Sequence, residues 1–125
     1  MFALLICSVS FADKNMKIGS KGKSSDVTRT IVVKMYDNYY EPNTFNIKKG
    51  ETVKFEVKNL GELVHEFNIA NPMMHIKHQP EMELMVENEI LLGDRIDKDK
   101  MQKMAAMDKS MGHSHSNSVL LAPKE

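Results

Sequence analysis

Strict two-residue alternation runs through Thr52-Val53-Lys54-Phe55-Glu56-Val57-Lys58. Successive side chains of a β-strand point to opposite faces, so Val53, Phe55 and Val57 share one face and the charged residues take the other. Turns that contain glycine flank the segment on both sides. The pattern therefore predicts a strand in a sheet with one buried face and one solvated face.

Other short segments have the same β character, with β-branched or alternating apolar residues bounded by turn residues. Further strands are predicted at residues 30–35, 45–47, 64–69 and 118–121. In the segment 64–69, alternation places His65 on the same face as Phe67 and Ile69. We expect the first four strands to form one antiparallel block.

The character of the chain changes after Asn71-Pro72, where methionine, histidine and glutamate replace the alternating pattern. Pro80 followed by an acidic residue favours the start of a short helix. Asp94 or Asp97 can cap a second helix that ends before Gly112.

Strands on both sides of this Met-rich helical insertion, at about residues 72–116, predict a mainly β fold, a Greek-key β-sandwich.

Composition narrows the function classes. The 125 residues include 17 basic and 17 acidic side chains, so no net field attracts nucleic acid. The sequence contains no Gly-rich phosphate loop, HExxH motif or nucleophile elbow, so we expect a binding protein rather than an enzyme. Methionine is abundant, with 11 residues, whereas there is one cysteine.

The N-terminus predicts export to the periplasm. Residues 1–12 contain an apolar run too short to span a bilayer, and Ala12 ends a small-x-small cleavage pattern. Cleavage there would remove Cys7, the chain's one cysteine, whose lipidation the sequence leaves open. Residues 13–27 are predicted to be a flexible leader, and residues 28–125 a folded domain.

Residues 40–59, together with the strand Val64-His65-Glu66-Phe67, resemble the cupredoxin (blue copper) family. The His-Glu-Phe strand followed by a Met/His-rich segment is similar to the bacterial periplasmic copper-tolerance cupredoxins. The resemblance implies copper as the cofactor, a role in electron transfer or copper tolerance, and His65 as the first histidine ligand of a type 1 copper site.

The family's other ligands, a Cys, a second His and an axial Met, belong to a C-terminal strand and loop. The sequence shows no such segment after residue 121, so we expect a domain that is incomplete at its C-terminus and lacks a complete type 1 site. A sandwich without its last strands exposes an edge, which predicts self-association.

A second group of candidate ligands consists of methionine and histidine residues, whose thioether and imidazole groups can together bind copper without cysteine. Its candidate ligands are Met73, Met74, His75, His78, Met101, Met104, Met107, Met111, His113 and His115. The four methionines of residues 101–111 share one helical face, a pattern that fits either convergent sulfur ligands or a packing stripe. His113 and His115 lie in a segment of glycine and serine, where no hydrophobic packing would require a histidine.

Three hypotheses remain open at this point. The first is a copper-binding cupredoxin-like protein whose partners are a copper ion and a periplasmic redox or copper-trafficking protein. The second is a Met/His-rich Cu(I) carrier or sponge that works without a blue site. The third is a non-functional fragment.

Overall fold

A computed structural model describes residues 17–125. The predicted signal peptide, Cys7 and residues 13–16 of the predicted leader lie outside the described residues. The strands are β1 (Arg29–Met35), β2 (Tyr40–Glu41), β3 (Val53–Asn59), β4 (His65–Asn68) and β5 (Ser118–Leu121), and the helices are α1 (Pro72–Glu87) and α2 (Lys98–Met107), with short 3-10 turns at Ser24–Asp26 and Lys109–Gly112.

The strands form two sheets, as the predicted mainly β fold requires. In the first sheet, β1 is central: it pairs with β2 in antiparallel fashion and with β3 in parallel, from Arg29 opposite Val53 to Met35 opposite Asn59. In the second sheet, β4 and β5 are antiparallel, with His65 opposite Leu121. The expectation of one antiparallel block was therefore wrong, because β3 crosses to the free edge of β1 and not to that of β2.

Three aromatic rings contact one another where the two sheets face each other. The ring centroids of Phe55 on β3 and Phe67 on β4 lie 5.3 Å apart, and Phe45 packs 5.3 Å from the first and 6.3 Å from the second. Tyr40 on β2 donates a hydrogen bond to the Glu66 carbonyl of β4, at 2.8 Å. The predicted alternation of β3 is confirmed, since Val53, Phe55 and Val57 are less exposed than the charged residues between them.

The buried side chain of Asn59 also ties the two sheets together. Its amide donates to the carbonyl oxygens of Leu63 (2.8 Å) and Leu121 (3.1 Å), and its carbonyl accepts from the Gly61 N–H at 3.0 Å. These bonds satisfy the buried amide. They hold the end of β3, the loop before β4 and the end of β5 in one arrangement.

The strand predicted at residues 45–47 is absent from the described structure, and that prediction was wrong. Tyr40–Glu41 pairs with β1 instead, and Pro42, which has no N–H to give to a ladder, follows directly. The 45–47 segment is held by other contacts: the partly exposed ring of Phe45 packs against Phe55, and the Asn46 carbonyl accepts from Arg29.

Helix α1 begins eight residues before the predicted start at Pro80, which lies inside it. Asn71 caps the helix by accepting from the Met74 N–H at 2.9 Å, and Pro72 occupies the first turn. The prediction failed because two Pro positions carry the same start signal. The second helix is confirmed, with Asp97 as its cap. Neither helix of the described part is long and apolar enough to cross a membrane.

The helices build a hydrophobic cluster of their own against the second sheet. Met85 of α1, Ile90 and Met111 are buried at its centre. Partly buried hydrophobic residues pack around them: Met82, Leu91, Met101, Met104 and Leu120. Because Leu120 belongs to β5, this cluster fixes the helical segment to the sheet.

Replacing Met85 by Ala should lower the free energy of unfolding by about 2–5 kcal/mol, since it leaves a cavity in this cluster. Met107 is 81% exposed on α2, so Met107→Ala should change stability by no more than about 0.5 kcal/mol. Urea unfolding followed by circular dichroism measures both. Equal losses for the two variants would contradict the assignment of the core.

Candidate metal centre

Three imidazole rings meet at one end of the second sheet. They belong to His78 in α1 and to His113 and His115, which follow the 3-10 turn Lys109–Gly112. The ring centroids are 5.0 Å (78 to 113), 5.3 Å (78 to 115) and 5.2 Å (113 to 115) apart. One ring nitrogen of each histidine lies within 4.8 Å of the others, close enough for a single metal ion.

The segment that carries two of these histidines is anchored at both ends. On its N-terminal side, Gly112 passes so close to α2 that an added Cβ would lie 3.0 Å from the Ala105 Cβ. His113 then takes a left-handed conformation (φ 47°) and ends the 3-10 turn. On the C-terminal side, the Asn117 amide donates to the Ile69 carbonyl at 3.0 Å. The loop is thereby held against α2 and the end of β4.

Two carboxylates complete the cluster. Glu66 Oε1 lies 3.0 Å from His78 Nε2 and 3.1 Å from His113 Nε2, and these two nitrogens are 3.2 Å apart. Glu81 Oε2 lies 3.2 Å from His78 Nδ1 and 2.9 Å from His115 Nε2. The sequence reasoning missed both glutamates. Alternation on β4 and the i,i+3 spacing of His78 and Glu81 on α1 were the signals that could have found them.

The cluster is largely shielded from water. The exposed fraction of the side chain is 2% for His113, 13% for His78, 12% for Glu81 and 17% for Glu66, whereas His115 is 37% exposed. An open cavity that borders Glu66 and His78 gives access from solvent. A buried group of this kind requires compensation of its charges.

Electrostatic coupling within the cluster shifts two pKa values. Burial acts to raise the pKa of Glu66, but the hydrogen bond and charge of His113, together with His78, outweigh burial and lower it. Burial acts to lower the pKa of His113, but Glu66 and then Glu81 outweigh burial and raise it. A metal ion would take the place of the proton held by this pair.

His65 lies outside this cluster. Its Nε2 is 2.9 Å from Asp37 Oδ1, and its ring meets Tyr40 edge-on at 6.0 Å. Asp37 also accepts from the N–H groups of Glu62 and Leu63, and the hydrogen bond from His65 is the main cause of its lowered pKa. Neighbouring residues of a strand point to opposite faces, so His65 and Glu66 serve different surroundings.

The described residues do not fit a type 1 copper centre. Such a centre needs a thiolate beside two imidazoles, and residues 17–125 contain no cysteine. The ligand role of His65 therefore stays a prediction.

The methionines take a different place from the histidines. Met101, Met104 and Met111 pack in the hydrophobic cluster with Met85, and Met107 is exposed. Three of these four methionines thus pack in the core, as the packing alternative predicts. Their role as copper ligands stays a prediction.

The remaining candidates lie on α1. Met73 and Met74 line an open groove, and His75 is exposed beside the cavity that borders His78. Of the predicted ligands, the structure thus brings together His78, His113 and His115.

Comparison with known proteins identifies the family. The model of the cupredoxin-like domain matches residues 1–96. The copper-resistant cuproprotein CopI of Pseudomonas aeruginosa is 38% identical over 119 residues, which cover 84% of this chain and 61% of that protein. The protein of the same name from Rubrivivax gelatinosus is 32% identical over 74 residues, which cover 58% of this chain and 45% of that protein.

The chain thus spans about three fifths of the length of the first relative and less than half of the second. No solved structure matches the chain significantly. The resemblance found in the sequence is confirmed: the chain belongs to the cupredoxin-like family, together with copper-resistance cuproproteins.

Proposed function

We propose that the protein is an exported, periplasmic copper-binding protein of copper tolerance, and that it binds copper through His78, His113 and His115. Both relatives carry the name of copper-resistant cuproproteins. The apolar segment at residues 1–12 supports export. In this proposal the protein binds and buffers metal rather than catalysing a reaction, and it passes copper to, or receives it from, a periplasmic redox or trafficking protein.

The spacing of the three imidazole rings carries the proposal. Nitrogens bound to one ion at about 2.0–2.1 Å in tetrahedral directions place their ring centroids about 5 Å apart. The observed separations are 5.0–5.3 Å. His78 and His113 are 35 residues apart in sequence, so the fold itself creates this arrangement.

Copper is the metal that the donors and the relatives jointly favour. Imidazole suits Cu, Zn and Ni alike, but the affinity of nitrogen and oxygen sites for divalent ions is highest for copper. Copper tolerance is the role that the relatives' names state.

Replacing His113 or His78 by Ala should weaken copper binding by at least about 100-fold, because each variant removes a ligand from the ion. Competition titration against a copper chelator of known affinity measures the loss. His75→Ala is the matched control, since His75 lies exposed on the same helix as His78, and it should bind copper as the unmodified chain does. The proposal fails if all three variants bind equally well.

The methionine carrier has its own test. Met101→Leu combined with Met104→Leu nearly conserves volume in the hydrophobic cluster, so the free energy of unfolding should change by less than about 1.5 kcal/mol for each. We expect copper binding at the histidines to persist unchanged in this variant. Loss of Cu(I) binding with stability retained would support the Met-rich carrier instead.

A further inference from the structure

We propose that Glu66 is the fourth ligand of the histidine site, that Glu81 is a positioning residue, and that the site is therefore selective for Cu(II) over Cu(I). The inference rests on the proposed function and specifies the oxidation state of the metal. It assigns different roles to two carboxylates: Glu66 contacts His78 and His113, and Glu81 contacts His78 and His115.

Glu66 faces the nitrogens that point into the cluster. Its Oε1 and the Nε2 atoms of His78 and His113 form a triangle with sides of 3.0, 3.1 and 3.2 Å. Ligands about 2.0–2.1 Å from a common ion are about 3 Å apart at right angles and slightly more in a tetrahedron. An ion above this triangle would touch all three atoms with little movement of the side chains.

The triangle brings two imidazole nitrogens close to one carboxylate and also close to each other. One proton can form a hydrogen bond between any two of these three atoms. If both nitrogens donate to Glu66, however, two N–H donors lie only 3.2 Å apart. If instead one nitrogen donates to the other, one contact to the carboxylate loses its proton. A cation above the triangle is favourable for all three atoms at once.

Glu81 touches the opposite nitrogens. It contacts His78 at Nδ1, the ring position remote from Glu66, and it contacts His115 at Nε2. A carboxylate that accepts from the remote N–H of an imidazole fixes the tautomer and the ring orientation, so that the other nitrogen offers its lone pair to the metal. By holding Nδ1 of His78, Glu81 thereby turns Nε2 of His78 toward the metal. By holding Nε2 of His115, it leaves Nδ1 of His115 as the ligand atom.

Charge selects the divalent ion. Two carboxylates and three neutral imidazoles carry a charge of −2, so a divalent ion gives a neutral site (+2 − 2 = 0), whereas Cu(I) leaves −1. The burial of Glu66 and Glu81 makes that residual charge costly. Carboxylate is also a hard donor, while the soft thioethers that favour Cu(I) belong to the separate hydrophobic cluster.

The test compares three isosteric variants of the full chain: Glu66→Gln, Glu81→Gln and, as a control, Glu87→Gln. Glu87 is exposed and lies on α1, the helix that carries Glu81. Each removes one negative charge. Cu(II) and Cu(I) affinities are measured with chelators for each state, and the Cu(II) forms are examined by electron paramagnetic resonance. Thermal unfolding in metal-free buffer verifies that each variant folds.

For Glu66→Gln we expect Cu(II) affinity to fall at least about 100-fold, Cu(I) affinity to change less than about 10-fold, and the copper hyperfine splitting to change because an oxygen ligand is lost. For Glu81→Gln we expect a loss of about 10–100-fold in Cu(II) affinity with the same ligand set in the spectrum. The control should match the unmodified chain in every measurement.

The inference is overturned if Glu66→Gln keeps both the Cu(II) affinity and the spectrum of the unmodified chain, or if that chain prefers Cu(I). If His113→Ala abolishes copper binding while Glu66→Gln does not, the proposed function stands and the role of Glu66 is wrong. If the unmodified chain binds no copper, the proposed function itself fails.

Discussion

The contact of Glu66 with His78 and His113 is the interaction on which the candidate metal centre depends. It joins strand β4, helix α1 and the loop before β5 through side chains, at positions that β-sheet hydrogen bonds do not connect. A carboxylate and imidazoles largely removed from water are unfavourable unless their charges compensate. The rest of the helical segment, with its methionine cluster and the anchored loop, serves to hold these groups in place.

Much of the fold could be predicted from periodicity. The alternation of residues 52–58 and the β-branched segments predicted four of the five strands, and Asp97, one of the two predicted caps, precedes α2. Alternation cannot reveal which edge of β1 the third strand joins, since parallel and antiparallel partners have the same pattern. Phe45 illustrates a second limit, because an apolar residue that packs on neighbouring aromatic rings from a loop gives the same signal as a strand residue.

The candidate site could be predicted only in part. His113 and His115 stood out because a Gly/Ser segment has no packing use for them, yet nothing in the sequence indicates that they meet His78. The two glutamates gave only the weak signals of strand alternation and of i,i+3 spacing, and acidic residues are common on solvated faces. Methionine abundance favoured thioether ligands as much as packing, and the structure places most of the helical methionines in a hydrophobic cluster.

The central claim is that the metal binds where the three imidazoles meet, and not at the strand histidine or among the methionines. Anomalous diffraction at the copper edge, from crystals of the full chain grown with copper, locates the ion directly. The account predicts a peak about 2 Å from nitrogens of His78, His113 and His115 and from a Glu66 oxygen. A peak beside His65 or within the methionine cluster, with none between the three rings, would contradict it.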